Sequence, residues 1–155
     1  MAERIIELTD QVYVDHSEFM LLDRDGASGQ SQGGLSPFEL ADEARRSGPW
    51  LLTSGNVAFV LSGYHFHKAT VVLELWDGEP PRDEEWAKVV DATMFSSSGV
   101  IYVTGSFPPS GKRLDLQACG QEWNIRGSVR PLGNGPTDEY PPDNIEEFRM
   151  QFWRV

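Results

Sequence analysis

Cysteine, histidine, positive charge and long apolar runs are all scarce in this chain of 155 residues, and each shortage excludes something. A single cysteine, Cys119, rules out an internal disulfide and suits a reducing cytosol. Cys119 itself reads as a small buried apolar residue, because free cysteine is usually buried and no base stands near it in sequence. Lys and Arg total 13 against 24 Asp and Glu, for a net charge of −11. That balance argues against direct nucleic-acid binding, which requires cations to neutralise phosphates, and against docking on anionic membranes. The longest apolar run, Val57 to Leu61, is far short of a bilayer span. Met1 to Asp10 carries Glu3, Arg4, Glu7 and Asp10, unlike the basic-then-apolar order of a secretory signal. The expectation is a soluble cytoplasmic protein. A Gly-x-Ser-x-Gly elbow, a phosphate-cradling loop and paired zinc-type cysteines are missing. No catalytic residue and no cofactor is assigned, and the chain does not read as an enzyme.

Hydrophobic residues at 39% and aromatics at 11% suffice for one core, so residues 1–155 read as a single domain. Gly and Pro make about 16%, which favours short strands joined by turns. Ser36-Pro37-Phe38-Glu39 combines a cap, a first-turn proline and a capping-box glutamate. With Phe38, Ala41, Ala44 and Arg45 at helical spacing and Gly48-Pro49 as a stop, it predicts one helix over 37–47. Elsewhere the period is two. Strands are predicted at Gln11–Asp15, Glu18–Leu22, Trp50–Thr53, Asn56–Val60, Ala69–Trp76, Val100–Thr104, Arg113–Ala118, Glu122–Arg130 and Phe148–Val155. Glu84–Phe95 fits a helix through Trp86, Val89, Val90 and Thr93, but its β-rich end, Val89–Phe95, is read as a further strand. In Ala69–Trp76, residues Ala69, Val71, Leu73 and Leu75 form one face. Phe148, Met150 and Phe152 point inward from the last strand, with Arg149, Gln151 and Trp153 outward. Ser96–Gly99 predicts a hairpin between its flanking strands. The fold class is all-β, an antiparallel β-sandwich of about eight or nine strands with one short helix. Asp23–Leu35, rich in Gly and Ser, and Pro131–Asn144, rich in turn residues, are surface loops.

Three constellations carry chemistry. His65-Phe-His67 puts two imidazoles on one strand face, as a metal pair would, but no third histidine completes a cupin-type set. It reads as a polar strand end, with a β-barrel small-molecule or metal-binding protein or enzyme as the alternative. Acids cluster at Asp77, Glu79, Asp83, Glu84 and Glu85, and again at Asp138, Glu139, Asp143, Glu146 and Glu147. They are either a solvated surface or a docking surface for a basic partner, since like charge in one place steers association. Arg126, Arg130, Arg149 and Arg154 fall on two late strands, as solubilising positions or as an anion clamp. Trp76 and Trp153 lie on the presumed outer faces, where exposed aromatics mark contacts.

The order of elements carries a resemblance. Val14-Asp-His16-Ser-Glu-Phe19 is followed by a loop and a short helix. Gly63 and the strand to Trp76 come next, then Glu84-Glu-Trp86-x-x-Val-Val90, Leu114-x-Leu116, Trp123-x-Ile125-Arg126 and Phe148-x-Met150-x-Phe152-Trp153. This resembles the competence-protein-J family, whose named activity is inhibition of a DNA-entry nuclease, and a set of small uncharacterised actinobacterial proteins. The segments 23–35 and 136–147 depart from the pattern, and no family residue is carried over. The resemblance implies an acidic inhibitor or immunity-type partner of a basic enzyme such as a nuclease. Asp77, Glu79, Asp83, Glu84, Glu85, Asp138, Glu139, Asp143, Trp76 and Trp153 are the expected contact residues.

Overall fold

In the computed structural model, residues 1–26, 35–86, 88–132 and 142–155 are described. They form β1 (Arg4–Val14), β2 (Glu18–Asp23), α1 (Pro37–Ser47), β3 (Leu51–Ser54), β4 (Val57–Leu61), β5 (His67–Trp76), β6 (Lys88–Ser96), β7 (Val100–Thr104), β8 (Leu114–Asp115), β9 (Gln121–Pro131) and β10 (Asp143–Arg154). Sheet A has the order β1-β5-β10-β9-β6 and sheet B the order β3-β4-β2-β7-β8. The protein is therefore a mostly-β sandwich of two open sheets rather than a closed barrel.

Alternation sorts the side chains. Val12, Val14, Ala69, Val71, Leu73, Leu75, Ile125, Phe148, Met150 and Phe152 of sheet A pack against Phe19, Leu21, Val60, Ile101 and Val103 of sheet B in one buried core. A second, smaller cluster lies on the other side of sheet B. There Leu22, Val57, Phe59 and Tyr102 meet Leu40, Ala41 and Ala44 of α1. The helix begins as its sequence dictates. The Glu39 amide donates to Ser36 Oγ at 3.3 Å, and the Ser36 amide donates to Glu39 Oε1 at 3.4 Å. It ends at Gly48, whose φ of 99° favours glycine.

The structure departs from the sequence-based expectations at several points. Each of the ten predicted segments falls on a strand, so the described residues hold ten where about eight or nine are expected in total, and one pairing, β10 with β5, is parallel. Strand β1 starts seven residues earlier than Gln11, at Arg4. Its register shifts between Arg4 and Ile6, so the two adjacent isoleucines hide the alternation. Phe38 is 86% exposed, and Leu40 takes the helix position that faces sheet B. Ser96–Gly99 does not close a hairpin, because β6 belongs to sheet A and β7 to sheet B. The chain changes layer there, around Asp23, which accepts hydrogen bonds from the hydroxyls of Ser96 and Ser98. Cys119 is exposed, contrary to expectation. Strand β8 stops at Asp115, and left-handed turns at Gln117 (φ 64°) and Gly120 (φ 67°) carry Cys119 out of the sheet. Residues 27–34 and 133–141 of the two expected loops lie outside the described residues. Among the described residues no helix is long and apolar enough to cross a membrane.

Candidate interaction surface

Strand alternation points Arg126 and Arg130 of β9 and Arg149 of β10 away from the core, to the outer face of sheet A. The acidic segment that follows β5 crosses this face as a strap, residues 77–86. Arg126 is the anchor and is only 2% exposed. Its Nη2 donates to Glu79 Oε1 at 2.7 Å, its Nη1 to the Pro80 carbonyl at 2.8 Å and its Nε to Asp91 Oδ1 of β6 at 2.8 Å. Its guanidinium also lies over the Trp153 ring, 5.1 Å from the centroid. Arg149 pairs with Asp83 at 3.3 Å, Arg130 with Glu85 at 3.6 Å and Arg82 with Asp91 at 2.8 Å. Trp86 ends the strap, buried beneath Arg130 and Arg149, whose guanidinium carbons lie 4.2 and 4.6 Å from its ring centroid.

These contacts set the carboxylates. The Glu85 amide, and then Arg149, hold Asp83 below the usual carboxylate range against the opposing effect of burial. For Asp91 burial is the largest single influence and acts upward. The hydrogen bonds and charges of Arg126 and Arg82 together outweigh it, so its pKa is lowered.

The expected contact residues thus divide. Glu79, Asp83 and Glu85 are bound to arginines of their own chain. Asp77 and Glu84 are exposed. Asp77 accepts the Glu3 amide at 2.7 Å, and Glu84 makes no ion pair among the described residues. Trp76 is half-buried, its Nε1 donating to Glu74 Oε1 at 3.3 Å. Trp153 keeps its outer-face position but is only 9% exposed, because Arg126 covers it. Arg126, Arg130 and Arg149 are neither a solvated fringe nor an open clamp; they fasten the strap, whereas Arg154 is exposed, 5.9 Å from the Trp123 ring centroid. Asp138 and Glu139 lie outside the described residues, and Asp143 opens β10.

The histidines part company. His65 precedes β5 and is exposed, its ring set edge-on to His16 at 5.2 Å. His67 is fully buried at the start of β5, where its Nε2 lies 2.8 Å from Ser62 Oγ and 3.4 Å from Glu146 Oε1. Ser62 also donates to Glu146, and the Gly63 amide reaches Glu146 Oε2 at 3.4 Å. Burial is the largest single influence on Glu146 and raises its pKa, but the bonds from His67, Ser62 and Gly63 together lower it. Because Ser62 and the Gly63 amide both bond Glu146, this cluster clamps the 62–67 loop to β10. Among the described residues no group of three or more His, Cys, Asp or Glu is arranged to hold a metal. Sequence reading missed this trio because its members are 84 residues apart at the extremes. Glu146 was visible only as one acid in a cluster.

No family model matches the chain, and neither does any of the curated proteins. Two solved structures share its fold. ComJ of Bacillus subtilis, inhibitor of the DNA degrading activity of NucA, superposes with a TM-score of 0.62 at 12% identity, covering 100% of this chain and 99% of that one. The protein of crocagin biosynthetic gene J superposes with a TM-score of 0.50 at 12% identity, covering 97% of this chain and 99% of its own. The resemblance to the competence-protein-J family thus holds as a resemblance of fold.

Proposed function

We propose that this chain is an acidic cytoplasmic protein that binds and inhibits a basic enzyme, with a DNA-degrading nuclease as the partner class, and that it is not itself an enzyme. The observation that carries the reading is a fold shared end to end with a nuclease inhibitor, ComJ. The charge of −11 supports it, because an acidic surface complements the positive groove a nuclease offers its substrate. The contacts refine which acids would act. Glu79, Asp83 and Glu85 are held by arginines, so the strap offers Asp77 and Glu84 as its exposed carboxylates without an ion pair among the described residues. Asp138, Glu139 and Asp143 would supply a second acidic contact.

The test is to recover what the tagged chain retains from its native cell and to assay that enzyme on plasmid DNA. A retained DNA-degrading activity should fall on stoichiometric addition of the chain, and association should slow as salt rises. The pair Asp77→Asn and Glu84→Gln should lower the association rate several-fold and flatten its salt dependence. Retention of no DNA-degrading enzyme, or retention without inhibition, overturns the reading.

A further inference from the structure

A cavity of about 610 Å³ is on the other half of sheet A from the strap. It is a groove beside the sheet edge. Tyr13, Gln11 and Thr9 of β1, with Lys68 and Thr70 of β5, form its floor, and the segment from Gly105 to Lys112 forms its wall. The wall is fixed in place. A Cβ at Gly105 would stand 2.2 Å from the Tyr13 carbonyl oxygen, so only glycine lets the segment sit on the edge of β1. Lys112 Nζ donates to the Thr9 carbonyl at 2.8 Å, and Ser110 Oγ to Asp10 Oδ2 at 2.8 Å.

The charge of this groove is opposite to that of the chain. Two of the three lysines line it, and neither makes an ion pair among the described residues. Its one acid, Asp10, is 5% exposed and already accepts from Ser110 and the Gln11 amide. Beside Lys68 stands an aromatic step. Tyr13 and Phe107 pack with centroids 4.6 Å apart, and Phe107 is 50% exposed. Lys68 Nζ is 6.0 Å from the Tyr13 ring, while Lys112 is held at Thr9. Four strand residues separate those two anchor points, about 13 Å at the rise of a strand.

We propose that this groove binds an extended acidic peptide segment of a partner protein, with carboxylates at positions i and i+4 on Lys112 and Lys68 and an apolar side chain at i+2 on the Tyr13–Phe107 step. In an extended peptide these three positions share one face, and four of its residues span about 13 Å, as Thr9 to Tyr13 does along β1. Charge complementarity selects the occupant: two ammonium groups without an ion pair among the described residues, beside an exposed aromatic, suit a short segment with one or two carboxylates. A long polyanion would be repelled by the rest of this acidic chain. The proposal rests on the groove alone, so a chain that inhibits no nuclease can still show it.

The probe is the peptide acetyl-Glu-Thr-Phe-Thr-Glu-amide, titrated into the uniformly ¹⁵N-labelled full chain. Saturable shifts are expected in the amides of residues 9–13, 68–70 and 105–112. Lys68→Met and Lys112→Met should each weaken binding about two- to five-fold, the range of exposed charge pairs, without altering the remaining spectrum. Replacing both peptide glutamates by glutamine should weaken it by the product of those factors. Absence of saturable shifts in the groove, shifts centred elsewhere, or equal binding of the peptide with lysine in place of glutamate would each overturn the proposal.

Discussion

Each sheet has part of its outer face covered, and by opposite means. Sheet B lies under α1, where Leu40, Ala41 and Ala44 meet Leu22, Val57, Phe59 and Tyr102, and where charge enters only at the rim, in the solvent-exposed pair of Arg45 with Glu18. Sheet A lies under a strap without regular structure apart from a turn, held by arginine–carboxylate pairs and by guanidinium groups on Trp86 and Trp153. The first cover works by removing apolar surface from water, the second by pairing charges whose stems and rings exclude water. A charged sequence can therefore bury a sheet face, but the cover it makes responds to acid and salt in a way the helix does not.

The largest effect is expected from the apolar cover. Leu40 is 1% exposed, and Leu40→Ala should cost about 3 kcal/mol in urea unfolding, as buried leucine truncations do. That loss should be the same at low and high salt. Arg126→Ala comes next, at about 2 kcal/mol. Closed buried pairs cost more, but Glu79 and Asp91 keep access to water, with side chains 63% and 44% exposed. Its effect should depend on pH. The pKa of Asp91 is lowered in the folded state, so its pairing stabilises above the ordinary value of 3.8 and is lost as pH falls through the folded value. The difference between wild type and Arg126→Ala in urea midpoint should therefore shrink below that pH, while the Leu40→Ala difference persists. Equal pH responses in the two variants would dissolve the distinction between the covers. The smallest effect is at the helix cap. Ser36→Ala should cost about 1 kcal/mol, again without a response to salt.

The same contrast explains what the sequence made legible. Period two marked the inward faces of β5, β9 and β10, because each is covered by apolar side chains of the other sheet. The helix was readable from its cap, proline and stop within thirteen residues. Phe38 misled, since helical spacing alone does not tell which of two adjacent apolar positions, 38 or 40, meets the sheet. The polar features were opaque for a different reason. Arg126 alternates with Ile125 as any solvent-facing residue would, and its burial depends on Glu79, 47 residues away. His67 shares a dipeptide spacing with His65, yet its contacts are Ser62 and Glu146. A charged residue satisfied by a distant partner leaves no local trace, so burial of charge is the part of a fold that pattern reading misses.

The parallel pairing of β10 with β5 has a consequence in time. Strand β10 sits between β5 and β9, so sheet A consists of two separate ribbons, β1-β5 and β9-β6, until Asp143–Arg154 arrives to join them. On the ribosome those residues emerge after all the other strands. Until then the facing edges of β5 and β9 present unpaired backbone groups, the usual template for pairing with a foreign chain. Strand β10 meets β9 as its neighbour in the chain, but its pairing with β5 joins segments distant in sequence, a contact that forms slowly. The nascent chain passes through a stage in which sheet B can assemble while the larger sheet waits for its central strand, and in that interval the molecule is most exposed to misassembly.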